Sequence, residues 1–290
     1  MIGTPAILAA IVGIVALVPL VGSGGPDPSA ALAARALVAE RAAAAEEALL
    51  DLEQAIQPAL DMARAGSARV VNGESPPGEM IASAGAMLVE LEPLGVEAAA
   101  RLRALEGAHR AVVPREPNLE PPAGAGELAS IGAQLEGAAA AADRFASMRL
   151  RAERVLTGLA EVIDALADGD HAAADATLDR VRADHEAVAA WEVQLATLPV
   201  WIEASGALLE AAEALVVASA RRDAEGVAAA ADDFERQREG AASADRALRI
   251  AMGEGGAAVT AAPLGRLADI LRRTADARVA VAEILHSVSR

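Results

Sequence analysis

Few residues in this chain have the type and spacing to do chemistry, and His185 with Glu186 stands out first. The pair opens the His-Glu-x-x-His pattern by which one helix presents two imidazoles to zinc, but the fifth position is Ala189 and the second ligand is missing. What remains is a histidine at the edge of an apolar stripe, its ring expected to bond a neighbouring side chain or carbonyl. Asp168, Asp170, His171 and Asp175 crowd potential ligands together, with His171 and Asp175 four apart on one helix face. Capping accounts for Asp170 and a solvated face for the others, so no metal and no cofactor is expected. Arg149 and Arg278 occupy positions where helical spacing puts apolar side chains. A guanidinium there is costly unless it pairs or reaches water. These two are the candidate ligand-binding residues, for a small anion held between helices; otherwise they set helix register.

Composition closes several classes of chemistry. All 25 basic residues are Arg, so no lysine is available to clamp a phosphate loop, form a Schiff base or serve a kinase-type ATP site. The absence of cysteine removes thiolate metal sites, disulfides and thiol nucleophiles. No Gly-x-Ser-x-Gly elbow occurs, and the histidines His109, His171, His185 and His286 have no serine nucleophile in a recognised pattern. Gly253-Glu-Gly-Gly256 is followed by no lysine and reads as a helix stop rather than a phosphate loop. Asp and Glu total 42, and nothing distinguishes one pair of them as an acid and base. The reading is therefore of a non-enzyme. A net charge of −17 argues against nucleic acid as a partner. Aromatics are limited to Phe145, Phe234, Trp191 and Trp201, too few for stacking platforms.

The elements that must position these residues begin with an uncharged run from Ile2 to Val21. As a helix it would extend roughly 30 Å, the thickness of a bilayer core. Residues 1–22 are read as a transmembrane anchor or a signal segment. The length favours a retained anchor, and no Lys or Arg precedes the run as a signal peptide would require. Arg35 and Arg41 follow the span and formally draw their side inward, yet the acidic body is expected on the extracytoplasmic side of the cell membrane, or secreted if the segment is cleaved. Residues 23–29, rich in Gly, Pro and Ser, form a linker.

Beyond the linker the spacing predicts an all-α chain: an Ala-rich antiparallel bundle with coiled-coil-like seams. Residues 30–110 are expected to form a helical pair. The first helix carries the stripe Leu49, Leu52, Ile56, Ala59 and Ala63, with a kink at Pro58 and an end at Gly66. The second carries Met80, Ala84, Met87 and Leu91 and is interrupted at Pro93-Leu-Gly95. Residues 111–126, with Pro114, Pro117, Pro121 and Pro122, form a proline-rich linker and the best domain boundary. Residues 127–290 are assigned a bundle of about five helices. The longest runs about 40 residues to Leu166. The next continues to Leu195, the following one turns at Pro199, a sixth stops at Gly253–Gly256, and the last starts near Thr260. The corners opening at Asp170 and Asp223 start alike, which suggests a repeat that Ala-rich sequence also produces by chance.

The functional expectation is a membrane-tethered, extracytoplasmic structural or protein-interaction module. It is non-catalytic and works through a protein partner or self-association. The alternative is a sensory or solute-binding helical ectodomain that takes a small anion near Arg149 or Arg278 and signals through a partner chain.

Overall fold

In the computed structural model of the protein, residues 28–74, 77–113, 117 and 119–289 are described. The expected anchor or signal segment 1–22, and the linker up to residue 27, lie outside the described residues. Six helices follow: α1 Pro28–Asn72, α2 Pro77–Arg110, α3 Glu127–Ala167, α4 His171–Ala189, α5 Thr197–Arg221 and α6 Ala224–Val288. The described residues are all-α, without a strand, and none of their helices is long and apolar enough to cross a membrane.

The chain forms two compact units. Among the described residues, one gathers those up to Ile56, from Leu91 to Leu128 and from Asp269 on; the other gathers those from Gln57 to Glu90 and from Ala129 to Ala268. In the first unit α1, α2 and α6 bury the stripes Leu49, Leu52 and Ile56, then Ala98, Leu102 and Leu105, then Ile270, Ala277 and Val281. Arg278 on α6 reaches Glu53 on α1 at 2.6 Å, and Arg273 reaches Glu127 at 2.8 Å.

In the second unit the pairings run antiparallel. Along α3 and α6, Gln134 meets Arg266 and Glu153 meets Arg249. Along α3 and α4, Arg154 meets Asp184 while Gly158 lies against Val181 and Thr177. Along α4 and α5, His185 meets Trp201 and Arg182 meets Glu213. A single cluster centred on Val155, Leu159, Val181, Trp201, Leu208 and Leu248 fills the space between these four helices. Burying such side chains contributes about 1.5 to 3 kcal/mol each relative to leaving them in water.

The α1 stripe is as expected, with Leu49, Leu52, Ile56, Ala59 and Ala63 all at zero exposure. On α2 the buried line is Ile81, Ala84 and Leu88, one residue out of phase with the expected Met80, Met87 and Leu91, which stay half-buried. The cause is backbone contact with α3: a Cβ on Gly85 would stand 2.7 Å from the carbonyl oxygen of Gly132, so this face is the one that turns inward.

Several expected breaks are absent. Pro93 lies inside a continuous helix rather than interrupting it, and Pro58 and Pro263 are likewise within helices. Each removes one backbone hydrogen bond, and buried side chains on both sides, such as Ile56 with Ala59 and Thr260 with Leu267, hold the helix through the gap. Residues 127–290 thus contain four helices rather than about five, because α6 runs 65 residues through Gly253–Gly256 without a stop. Those glycines provide clearance. A Cβ at Gly255 would sit 2.8 Å from the Phe145 ring, and one at Gly253 would sit 3.0 Å from the Val71 carbonyl oxygen. Gly66 is likewise no stop; a Cβ there would come 2.8 Å from Ile81.

The true end of α1 is at Gly73, which has φ +74°. Its N–H bonds Val70, and the next N–H bonds Arg69 across the turn, the closing pattern of a left-handed helix terminus. The same pattern ends α3 at Gly169 and α5 at Arg222, and Asp170 and Asp223 then cap the following helices. The two aspartate corners thus share the same helix-ending geometry. Finally, α4 ends at Ala189 rather than Leu195. Trp191 leaves the helix to set its ring edge-on to Phe145, with centroids 4.9 Å apart.

Two substitutions within α6 separate clearance from propensity. Gly256→Ala is expected to lower stability by about 1–3 kcal/mol through overpacking on Val70 and Phe145. Gly240→Ala, where nothing lies within 4 Å of the new methyl, should raise it by about 0.5–1 kcal/mol. Arg222→Gly, at φ 57°, should also stabilise by relieving the left-handed conformation. Urea unfolding followed by circular dichroism reads all three.

Candidate functional site

The densest buried polar group lies in the second unit and joins four helices. Asp245 on α6 is 1% exposed. Its carboxylate meets Arg249, one turn on, at 2.8 Å. Arg249 in turn approaches Glu153 of α3 at 3.6 Å. The fully buried indole of Trp201, on α5, lies in the same cluster, and Ser205 donates its hydroxyl to the Trp201 carbonyl at 2.5 Å. His185 of α4 stacks on Trp201, with centroids 5.3 Å apart and planes at 24°. The expected hydrogen bond to His185 is replaced at Nε2 by this stacking, since that atom is buried without a partner.

Burial pushes the Asp245 carboxyl above the ordinary carboxylate range, and the Arg249 charge and the Trp201 indole pull it back in part. A buried acid held by a guanidinium is costly to break, and through Arg249 and Glu153 the group joins α6 to α3. A signal for it was present in the sequence. The α6 stripe steps from Ala241 to Leu248, and the intervening seam position in the three-four rhythm is Asp245, with Arg249 four residues on.

The two seam arginines are engaged inside the fold, each within its own unit. Arg149 donates Nη1 to the Val71 carbonyl oxygen at 2.5 Å, and its guanidinium lies over Gly73. It thereby satisfies a carbonyl of the last turn of α1, where a cation also complements the helix dipole. Arg278 pairs with Glu53, and its Nε is buried without a partner. In the acidic corner, Asp170 accepts the Ala173 N–H at 2.9 Å as the cap of α4, while Asp168 and Asp175 stay exposed. Among the described residues, no three His, Asp or Glu side chains gather as a metal would need.

Sequence reading missed a second ionic joint, between α3 and α4. Asp184 accepts from Arg154 at 2.8 and 2.9 Å and from Arg151 at 3.1 Å. Beside it runs a groove of about 440 Å³ lined by Arg154, Thr157, Glu161, Thr177, Arg180 and Asp184. Arg180 bonds the Thr177 hydroxyl at 2.7 Å and has no carboxylate partner among the described residues. The chain matches no protein-family model, no curated protein and no solved structure.

The titration of Asp245 gives a pH test. Its carboxyl holds a proton more tightly in the folded chain than in the unfolded one. The group's contribution to stability is therefore complete below about pH 4 and is lost as the pH rises through the raised folded value. Asp245→Asn removes that dependence. The melting temperature of the variant relative to the parent should move in the variant's favour between about pH 4 and 7; an offset constant with pH would contradict the assignment.

Proposed function

We propose that the protein is a membrane-tethered, extracytoplasmic helical module with a structural or protein-interaction role and no catalysis, held by residues 1–22. The observation that carries the reading is the use of its chemically capable side chains. Arg149, Arg278, Asp170 and the Asp245–Arg249 pair all act as internal joints between or within helices. Supporting it, α6 runs 65 residues, a length found in helices that pair along an extended seam. Its antiparallel partners with small-residue, coiled-coil-like seams are of the kind that also pair between chains. Apolar side chains such as Val200, Ile250 and Val279 are exposed and available to a partner.

One observation favours the alternative, a sensory or solute-binding ectodomain for a small anion. Arg149 and Arg278 are occupied by Val71 and Glu53, but Arg180 in the α3–α4 groove is bonded only to the Thr177 hydroxyl, with Glu161 and Asp184 lining the same groove. An anion would find a guanidinium without an ion pair there.

The favoured reading is tested on intact cells with the full-length chain carrying a carboxyl-terminal tag. The tag should remain in the membrane fraction through carbonate washing, yield to external protease while a cytoplasmic control survives, and crosslink to a discrete protein or to a second copy. Release by carbonate, or protection from protease, would overturn the tether or its sidedness. Reproducible thermal stabilisation by sulfate that disappears in Arg180→Ala would move the assignment to the anion receptor.

A further inference from the structure

A second cleft, between α3, α5 and α6, has a different chemistry. It encloses about 290 Å³. Its floor is hydrocarbon: Leu159, Leu208 and Phe234 are 1, 2 and 6% exposed, and Leu156 and Ile163 flank them half-buried. Water in it would find few hydrogen-bond partners, whereas an apolar body would be favoured.

The rim decides the charge of the occupant. Arg238 is already paired with Glu235 at 3.2 Å. Asp164, the remaining rim charge, has no hydrogen bond or ion pair to its carboxylate among the described residues. It sits in the last turns of α3, which ends at Ala167 with no basic residue in its final turn. The carbonyl end of a helix attracts cations. The net charge of −17 adds a field that draws cations toward the chain.

We propose that this cleft binds a small arylalkyl amine, with its ring on the Leu159, Leu208 and Phe234 floor and its ammonium at Asp164. Phe234 offers a ring for edge or face contact, and the carboxylate supplies a charge-assisted hydrogen bond at the mouth. The site is independent of membrane attachment and of the interaction role proposed above, and it differs from the α3–α4 groove in selecting a cation.

Calorimetric titration of the full-length chain in lipid nanodiscs, with empty nanodiscs subtracted, tests it using 2-phenylethylamine. Saturable binding is expected with a dissociation constant of about 1 mM or below. 3-Phenylpropionate, of similar size but opposite charge, should bind at least roughly tenfold more weakly. D164N should weaken the amine by roughly tenfold. Ala242→Leu, which fills the cleft from α6, should abolish binding; if circular dichroism shows that this variant does not fold, Ala160→Leu on the opposite wall replaces it. Absence of saturable heat, equal binding of phenylpropionate, or wild-type affinity in either D164N or the folded filling variant would overturn the proposal.

Discussion

Where α6 passes the Phe145 ring and the end of α1, residues 253, 255 and 256 are glycines because a Cβ would collide with Val71, Phe145 and Val70. Much else depends on that clearance. It lets one helix of 65 residues continue where glycines would otherwise end it. Through that continuity α6 meets α1 and α3 at their polar joints, Ser67 with Thr260 and Gln134 with Arg266. An Ala-rich chain can accept such a constraint because small side chains let helix axes come together and so raise the number of dispersion contacts per turn. The same physics makes the packing intolerant, since any added methyl at the contact must displace a ring or a backbone carbonyl.

Polar side chains then fix which of many similar seams pair. Alanine seams are nearly interchangeable, so register has to come from groups that lose most when misplaced. Asp245 against Arg249 and Trp201, Asp184 against two arginines, and Arg149 on the Val71 carbonyl are such groups. A buried ionic group is a weak source of net stability, because desolvation offsets most of the attraction. Its effect is to make the wrong pairing worse than the right one. In a chain without lysine this work falls to the planar, multiply donating guanidinium, which binds carboxylates in two-point geometry, as Arg154 does on Asp184.

The apolar stripes were legible because burial follows a helical period and a stripe needs no knowledge of its partner. Leu49 to Ala63 on α1, and Trp201, Ser205, Leu208 and Ala212 on α5, are buried as their spacing indicates. The glycines were misread because a glycine that stops a helix and one that clears a neighbour look alike in sequence. Gly66 and Gly73 lie seven residues apart; only the second has a positive φ, while the first faces Ile81. The site was legible in half. His185 is legible as a histidine at the edge of an apolar stripe. Asp245 and Arg249 were lost among 42 carboxylates and 25 arginines, although the gap in the α6 stripe marked the place.

By itself the sequence determined what is local: an all-helical chain, the inward faces of most of its helices, the aspartate caps at Asp170 and Asp223, and the chemistries closed by the lack of lysine and cysteine. Those follow from propensity, periodicity and composition, each of which acts over a few turns of one helix. Tertiary structure alone decided that Pro93 and Gly253–Gly256 would not interrupt their helices, that Trp191 would leave α4 for Phe145, and that Arg149 and Arg278 would face Val71 and Glu53. Those outcomes depend on what lies across the seam, and a weak local preference yields when packing on the far side is worth more.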